Sequence, residues 1–318
     1  MIGGAGFIGS NLSRRLADLG ANVMVVDSLI PQYGGNLFNL QGYTDKITVN
    51  LSDIRDHYSL RAILGNKEHI FCLAGQTSHF DSMIDPISDL NINCNAQLSI
   101  LEILRDVNPS AKVVFASTRQ IYGVPQALPV TEDHPIAPVD CNGISKYASE
   151  MYYCLYSKLY QLDCTVLRLT NTIGPRMRIA DSRQTFVGVW IRNLIEGLPI
   201  EVWGGSQLRD FNDVEDVVHA LLIAGSRQSK LCSNIYNIGG AQPISLDALA
   251  KLMVGIYGKG DIKFIDYPND RKSIDIGDYY SDYSKFTTES GWEPRVELSE
   301  SLSKTLNYYA ANFHHYLV

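Results

Sequence analysis

The chain opens on glycines, and their spacing constrains the fold more than any other feature. In "MIGGAGFIGSNLSRRLADLGANVMVVDS", Gly3, Gly6 and Gly9 stand three residues apart. Apolar positions at Phe7, Leu12, Leu16 and Leu19 follow with helical spacing, Gly20 closes the helix, and "NVMVVD" reads as a short buried strand ending in Asp27. Glycines let a backbone turn tightly and approach a pyrophosphate, and the next helix offers free N–H groups and a partial positive charge at its start. An acid at the end of the following strand accepts hydrogen bonds from an adenosine ribose and repels a 2′-phosphate, so Asp27 favours NAD over NADP. A buried strand of about five residues should precede these glycines. Here only Met1 and Ile2 do, so the first strand is expected to be truncated: either the start is clipped or another segment fills a mid-sheet place.

Alternation continues along the first half. "ITVNLSDIRD", "IFCLA" and "AKVVFAST" read as strands, with helical stretches such as "DLNINCNAQLSILEILRDV" between them. Strands alternating with helices imply an α/β fold, a Rossmann-type doubly wound parallel sheet that binds ligands at the strands' carboxyl ends. Asp53 and Ile54 then fall where an adenine ring is held, and Ala74, Gly75 and Gln76 where pyrophosphate and ribose pass. After Pro175 the regular alternation is lost. We divide the chain into a cofactor-binding domain over 1–175 and a smaller, interleaved substrate-binding part over 176–318, with segments around 210–240 returning to the main domain.

Composition excludes several classes. A net charge of −7 without a basic tract argues against nucleic acid. Six scattered cysteines (Cys72, Cys94, Cys141, Cys154, Cys164 and Cys232) show no CxxC pair and no metal-ligand spacing, as expected of reduced thiols in a cytoplasmic protein with no metal. No apolar run is long enough to span a bilayer.

The blocks "GGAGFIGS", "SDI", "LAGQ", "ASTRQIYG", "NGISK", "LRLTNTIGP", "WGGSQLRDF", "YNIGG" and "SGWEPRVELSESL" resemble, in order and from end to end, those of the extended short-chain dehydrogenase/reductases. These are NAD-dependent nucleotide-sugar epimerases and dehydratases. "LAGQTSHFDSMIDPISDLNIN" with "STRQIYG" looks closest to the CDP-tyvelose (CDP-paratose) 2-epimerase branch. The resemblance implies that Gly3, Gly6, Phe7, Ile8, Gly9, Asp27, Asp53, Ile54, Leu73, Ala74, Gln76, Asn93 and Lys146 bind NAD. It implies that a tyrosinate takes the proton from a sugar hydroxyl as NAD⁺ oxidises that carbon, with a lysine lowering the tyrosine pKa. Thr118 matches the Ser/Thr that contacts the reacting oxygen, Asn171 an asparagine on the sugar diphosphate and Arg209 an arginine on substrate phosphate. Thr170 and Thr172 are expected near the nicotinamide amide, and Arg271, Arg176, Arg178, Arg183 and Lys272 are further basic candidates. Arg119 and Gln120 follow Thr118, in place of the acid pair with which dTDP-glucose 4,6-dehydratases expel water, which argues against that reaction.

The departure is at Asn142, which stands where the tyrosine belongs, four residues before Lys146. A carboxamide is neither acid nor base near neutral pH. Three readings follow. Another group is the base (Tyr122, His79, Cys141 or Lys146); or the enzyme reduces or epimerises an already oxidised keto-sugar; or the protein binds NAD and a sugar nucleotide without turnover. Tyr147 points about 100° away from Lys146 on a helix and is not the expected substitute. His79 is also a candidate for the substrate side. The leading expectation is an NAD-dependent epimerase of a nucleotide-diphosphate sugar. The tyrosine-rich helix "ISKYASEMYYCLYSKLYQL" and the helix near 88–106 are where the resemblance implies a homodimer through a helix bundle.

Overall fold

The structure, a computed structural model, describes residues 1–227, 231, 233–267 and 274–317. The first half runs α1 (Phe7–Asp18), β1 (Val23–Val26), β2 (Ile47–Asn50), α2 (His57–Leu64), β3 (His69–Cys72), α3 (His79–Ile84), α4 (Pro86–Leu90), α5 (Ala96–Val107), β4 (Lys112–Thr118), α6 (Cys141–Tyr160) and β5 (Asp163–Leu169). Then follow β6 (Asn171–Ile173), α7 (Phe186–Glu196), β7 (Ile200–Trp203), β8 (Leu208–Arg209), β9 (Phe211–Asp213), α8 (Val214–Gly225), β10 (Ile235–Ile238), β11 (Ile244–Ser245), α9 (Leu246–Tyr257), β12 (Ile262–Ile265), α10 (Ser284–Ser290) and α11 (Leu298–Asn312).

The main sheet is parallel. β1 pairs with β2, and β3, β4, β5 and β10 pair in that order. Ile2 joins the two groups. It bridges Val26 on one side and Cys72 on the other, donating to Phe71 O at 2.9 Å and accepting from Leu73 N at 2.9 Å. The truncated first strand is therefore present as a one-residue bridge in the middle of the sheet, with Ile2 buried.

Strand β4 shows why the sheet is covered on both faces. Val113 and Phe115 pack among Leu60, Ile100, Tyr153 and Val166 on the side of α2, α5 and α6. Val114 and Ala116 face the other way, among Phe7, Leu12, Val217 and Leu221 of α1 and α8. Continuous apolar strands of this kind belong to parallel sheets buried on both sides. The second half is woven into the first. After α7 and β7, the chain returns through α8 to this core, and β10 lies beside β5 in register from Ile235↔Val166 to Ile238↔Leu169. The remaining short pairs, β6 with β9, β8 with β11 and β7 with β12, form the smaller part.

A buried ion pair holds α6 against the sheet. Arg168 on β5 donates to Glu150 on α6 (Nη2 to Oε2, 2.8 Å; Nε to Oε2, 3.1 Å), and Ser117 on β4 also donates to Glu150. Both charged residues are buried.

Candidate active site

The glycine turn makes a cleft at the carboxyl ends of the strands. Gly3 has φ +78°, and a Cβ there would stand 2.5 Å from Ala74 N; one on Gly9 would stand 2.1 Å from Gly3 O. Only glycine lets the backbone pack this way. Helix α1 starts after Gly6, which supplies no side-chain cap, so the first amides stay available to a ligand. Asp27 closes β1. Its two carboxylate oxygens accept from Ala5 N and Leu29 N, each at 2.9 Å, and burial raises its pKa against those two hydrogen bonds. The open cleft, with the solvent at its mouth, spans about 840 Å³. Of the expected residues, Gly3, Gly6, Phe7, Ile8, Gly9, Asp27, Asp53, Ile54, Leu73 and Ala74 line it. Tyr33, Gly35, Thr77 and Gln184 line it as well and had no signal in the sequence, because they come from loops whose course depends on the fold. Glycines where a Cβ would collide, free helix amides and an acid at the strand end all fit a dinucleotide.

Gln76, Asn93 and Lys146 lie together beyond the inner end of this cleft. Lys146 Nζ donates to Ala116 O at 3.1 Å, and a Cβ on Gly75 would stand 3.1 Å from it. Ala116 and Gly75 both line the cleft, so the amine borders it. Burial pulls the Lys146 pKa down to about 8, while the nearby Asp89 carboxylate pulls it the other way.

Asn142 is sealed into a polar network. Its Nδ2 donates to Gln76 O at 2.8 Å and lies 3.2 Å from Asp89 Oδ2. Asn93 Nδ2 donates to the same two acceptors, at 2.9 and 2.8 Å. The Asn142 side chain thus spends its amide N–H groups on internal acceptors. Asp89 is fully buried, and its other oxygen has no hydrogen-bond partner among the described residues. Sequence reasoning missed it; the available signal was an acid four residues before Asn93 on one helical face.

Tyr122, a candidate base, is held inside the fold. It is fully buried, its hydroxyl donates to Asn237 Oδ1 and accepts from Arg168 Nη1 (2.7 Å each), and burial pushes its pKa up to about 12. His79 begins α3, with Nδ1 3.1 Å from Asp140 Oδ2 but outside hydrogen-bond alignment. Burial alone would raise the Asp140 pKa; the contacts with His79 and Gly143 N outweigh it and hold that carboxyl low. Cys141 is partly exposed at the start of α6.

On the substrate side, Thr118 ends β4 and its Oγ1 accepts from Gln120 N at 3.2 Å. Asn171 Nδ2 donates to Asp210 O at 3.0 Å. Thr170 Oγ1 bonds Asp210 Oδ1 at 2.5 Å, and Thr172 Oγ1 bonds Thr170 O at 3.3 Å. Arg209 is buried, bonded to Gly277 O and 3.3 Å from Asp275, and burial together with repulsion from Arg119 brings its pKa to about 10. Arg176, Arg178 and Arg183 are committed elsewhere, to Asn11 (2.7 Å), Asp181 (2.6 Å) and Asp81 (2.7 Å). Arg271, Lys272 and Cys232 lie outside the described residues.

The profile of the NAD dependent epimerase/dehydratase family matches residues 1–239. This chain belongs to that family. It is 31% identical to the "Putative UDP-glucose 4-epimerase" of Methanocaldococcus jannaschii, over 98% of this chain and 97% of that one. It is 26% identical to the CDP-paratose 2-epimerase of Salmonella typhi, over 96% and 97%. The crystal structure of UDP-glucose 4-epimerase with UDP-glucose from Thermotoga maritima superposes with a TM-score of 0.89 at 30% identity, covering 98% of both chains. As an enzyme of the NAD-dependent epimerase/dehydratase family, the protein has NAD as its cofactor. No helix among its described residues is long and apolar enough to cross a membrane.

Proposed function

We propose that this family member is an epimerase of a nucleotide-diphosphate sugar that works by transient oxidation. The observation that carries the reading is the wall at Thr118. Arg119 and Gln120 stand where an acid pair would expel water, while the cleft and Lys146 that oxidation needs are kept. Bound NAD⁺ supplies a reversible two-electron acceptor. In this reading the Thr118 hydroxyl orients the reacting sugar oxygen, and Asn171 and Arg209 hold the diphosphate. Lys146 accepts the proton as its neutral amine. Of the candidates, Tyr122 is tied to Arg168 and Asn237, and His79 lies against Asp140, whereas Lys146 borders the cleft with a lowered pKa.

Purified protein with NAD⁺ and UDP-, CDP-, dTDP- and GDP-sugars in deuterated water, followed by NMR, tests this. An epimeric sugar is expected. Bound sugars that stay unchanged, together with activity created by Asn142→Tyr, would show instead a binding protein or a user of preoxidised sugars.

We further propose a homodimer. Ile144, Met151, Leu155 and Leu159 share one exposed face of α6, and Met83, Ile84, Ile87 and Leu90 are exposed on the neighbouring α3 and α4. Sedimentation velocity should show a dimer that Leu155→Asp with Leu159→Asp converts to monomer; an unchanged species would refute this interface.

A further inference from the structure

Arg119 is a described cation at this site with no ion-pair partner among the described residues. It is the first residue of the 3-10 turn Arg119–Tyr122, directly after Thr118 at the carboxyl end of β4. Its Nη2 donates to a neutral acceptor, Asn171 Oδ1, at 3.2 Å, and its guanidinium lies 5.1 Å from the centre of the Tyr279 ring. Nη1 is buried and has no hydrogen-bond partner among the described residues. Asp210, Asp275 and Asp140 are near enough to favour its charge, yet none of them pairs with it. Each has other work: Asp210 holds Thr170, Ser281 N and Gly240 N, Asp275 meets Arg209, and Asp140 meets His79 and Gln120. Arg209 lies close enough for the two positive charges to repel.

Arg119 is partly exposed, but a guanidinium nitrogen withdrawn from water with no hydrogen-bond partner is costly unless a ligand supplies one. Arg209 already stands on the side where this reading puts the diphosphate. Arg119 follows Thr118 directly in the chain, which in this reading sets it beside the reacting sugar oxygen. We propose that Arg119 forms a subsite for a carboxylate carried by the sugar, making the substrate a nucleotide hexuronate or a related acidic sugar. A planar fork with a free nitrogen suits the two oxygens of a carboxylate. This inference rests on the nucleotide-sugar reading above and deepens it.

The test is a calorimetric titration. UDP, CDP, dTDP and GDP are titrated first into the NAD⁺-loaded protein, and the tightest binder defines the nucleotide. Its hexuronate and its neutral hexose are then compared on wild type, Arg119→Met and Arg119→Lys. Wild type should hold the hexuronate more tightly than the hexose by roughly tenfold to a hundredfold, as one charge-assisted contact allows. Arg119→Met should erase that preference, leave the free nucleoside diphosphate unchanged and bind the neutral hexose as wild type does; Arg119→Lys should restore part of it. Equal wild-type affinity for acid and neutral sugar overturns the inference without variants. Weaker binding of the free diphosphate by Arg119→Met would assign Arg119 to the diphosphate instead. Failure of all four diphosphates to bind would bring down the nucleotide-sugar reading itself, and the carboxylate subsite with it.

Discussion

Arg168→Met is expected to lower unfolding stability by about 3–5 kcal/mol, read as a fall in the urea midpoint. Arg168 and Glu150 are both buried, and the pair is joined by two nitrogens of the guanidinium. Removing the arginine leaves a carboxylate in the core with Ser117 as its remaining described donor, and takes from the Tyr122 hydroxyl one of its two partners. The uncompensated charge dominates, because a single neutral hydrogen bond is worth only about 1 kcal/mol. Pairing the change with Glu150→Gln should recover much of the loss, since the double variant buries no lone charge. A loss below about 1 kcal/mol for Arg168→Met would mean that water reaches Glu150.

Lys146→Met is expected to slow epimerisation by about 10²–10⁴-fold, the range for a removed proton acceptor. If the neutral amine is the working form, wild-type turnover should climb with rising pH up to about 8 and level off above it. The sign follows from the chemistry: protonation at lower pH fills the lone pair that takes the sugar proton. Asp89 favours the ammonium, so Asp89→Asn should move that inflection to lower pH. A flat profile between pH 6 and 9, or Lys146→Met turning over at near wild-type rate in the NMR assay, would exclude the lysine as base.

The cofactor half was legible because its determinants are local. Gly3, Gly6 and Gly9, the helix after them and Asp27 lie within one short stretch, and each has a backbone reason to be there. The bridge at Ile2 was not legible, since its hydrogen bonds go to Phe71 and Leu73, far along the chain. The fate of Tyr122 was equally hidden. Its partners Arg168 and Asn237 lie 46 and 115 positions away, and they hold its hydroxyl inside the fold. Asn142 stood out in the sequence only by its distance from Lys146; the carboxylate it faces comes from α4, and local spacing does not reach Asp89. Arg119 was visible as the loss of an acid; its missing counter-ion emerges only when every neighbouring carboxylate is seen to be engaged.

The late return of β10 to the edge of β5 sets an order on biosynthesis. A nascent chain that has emerged only through β5 carries the glycine turn, Asp27 and Lys146, yet its outermost strand still shows a bare row of amides and carbonyls from Val166 to Leu169. Such edges recruit other chains. The segment that closes this one is made some seventy residues later, and Asn237 within it fastens Tyr122 and Val130 O as it arrives. On the ribosome the main sheet therefore stays unfinished until β10 has emerged, and that interval is when a holdase chaperone would have the most to protect.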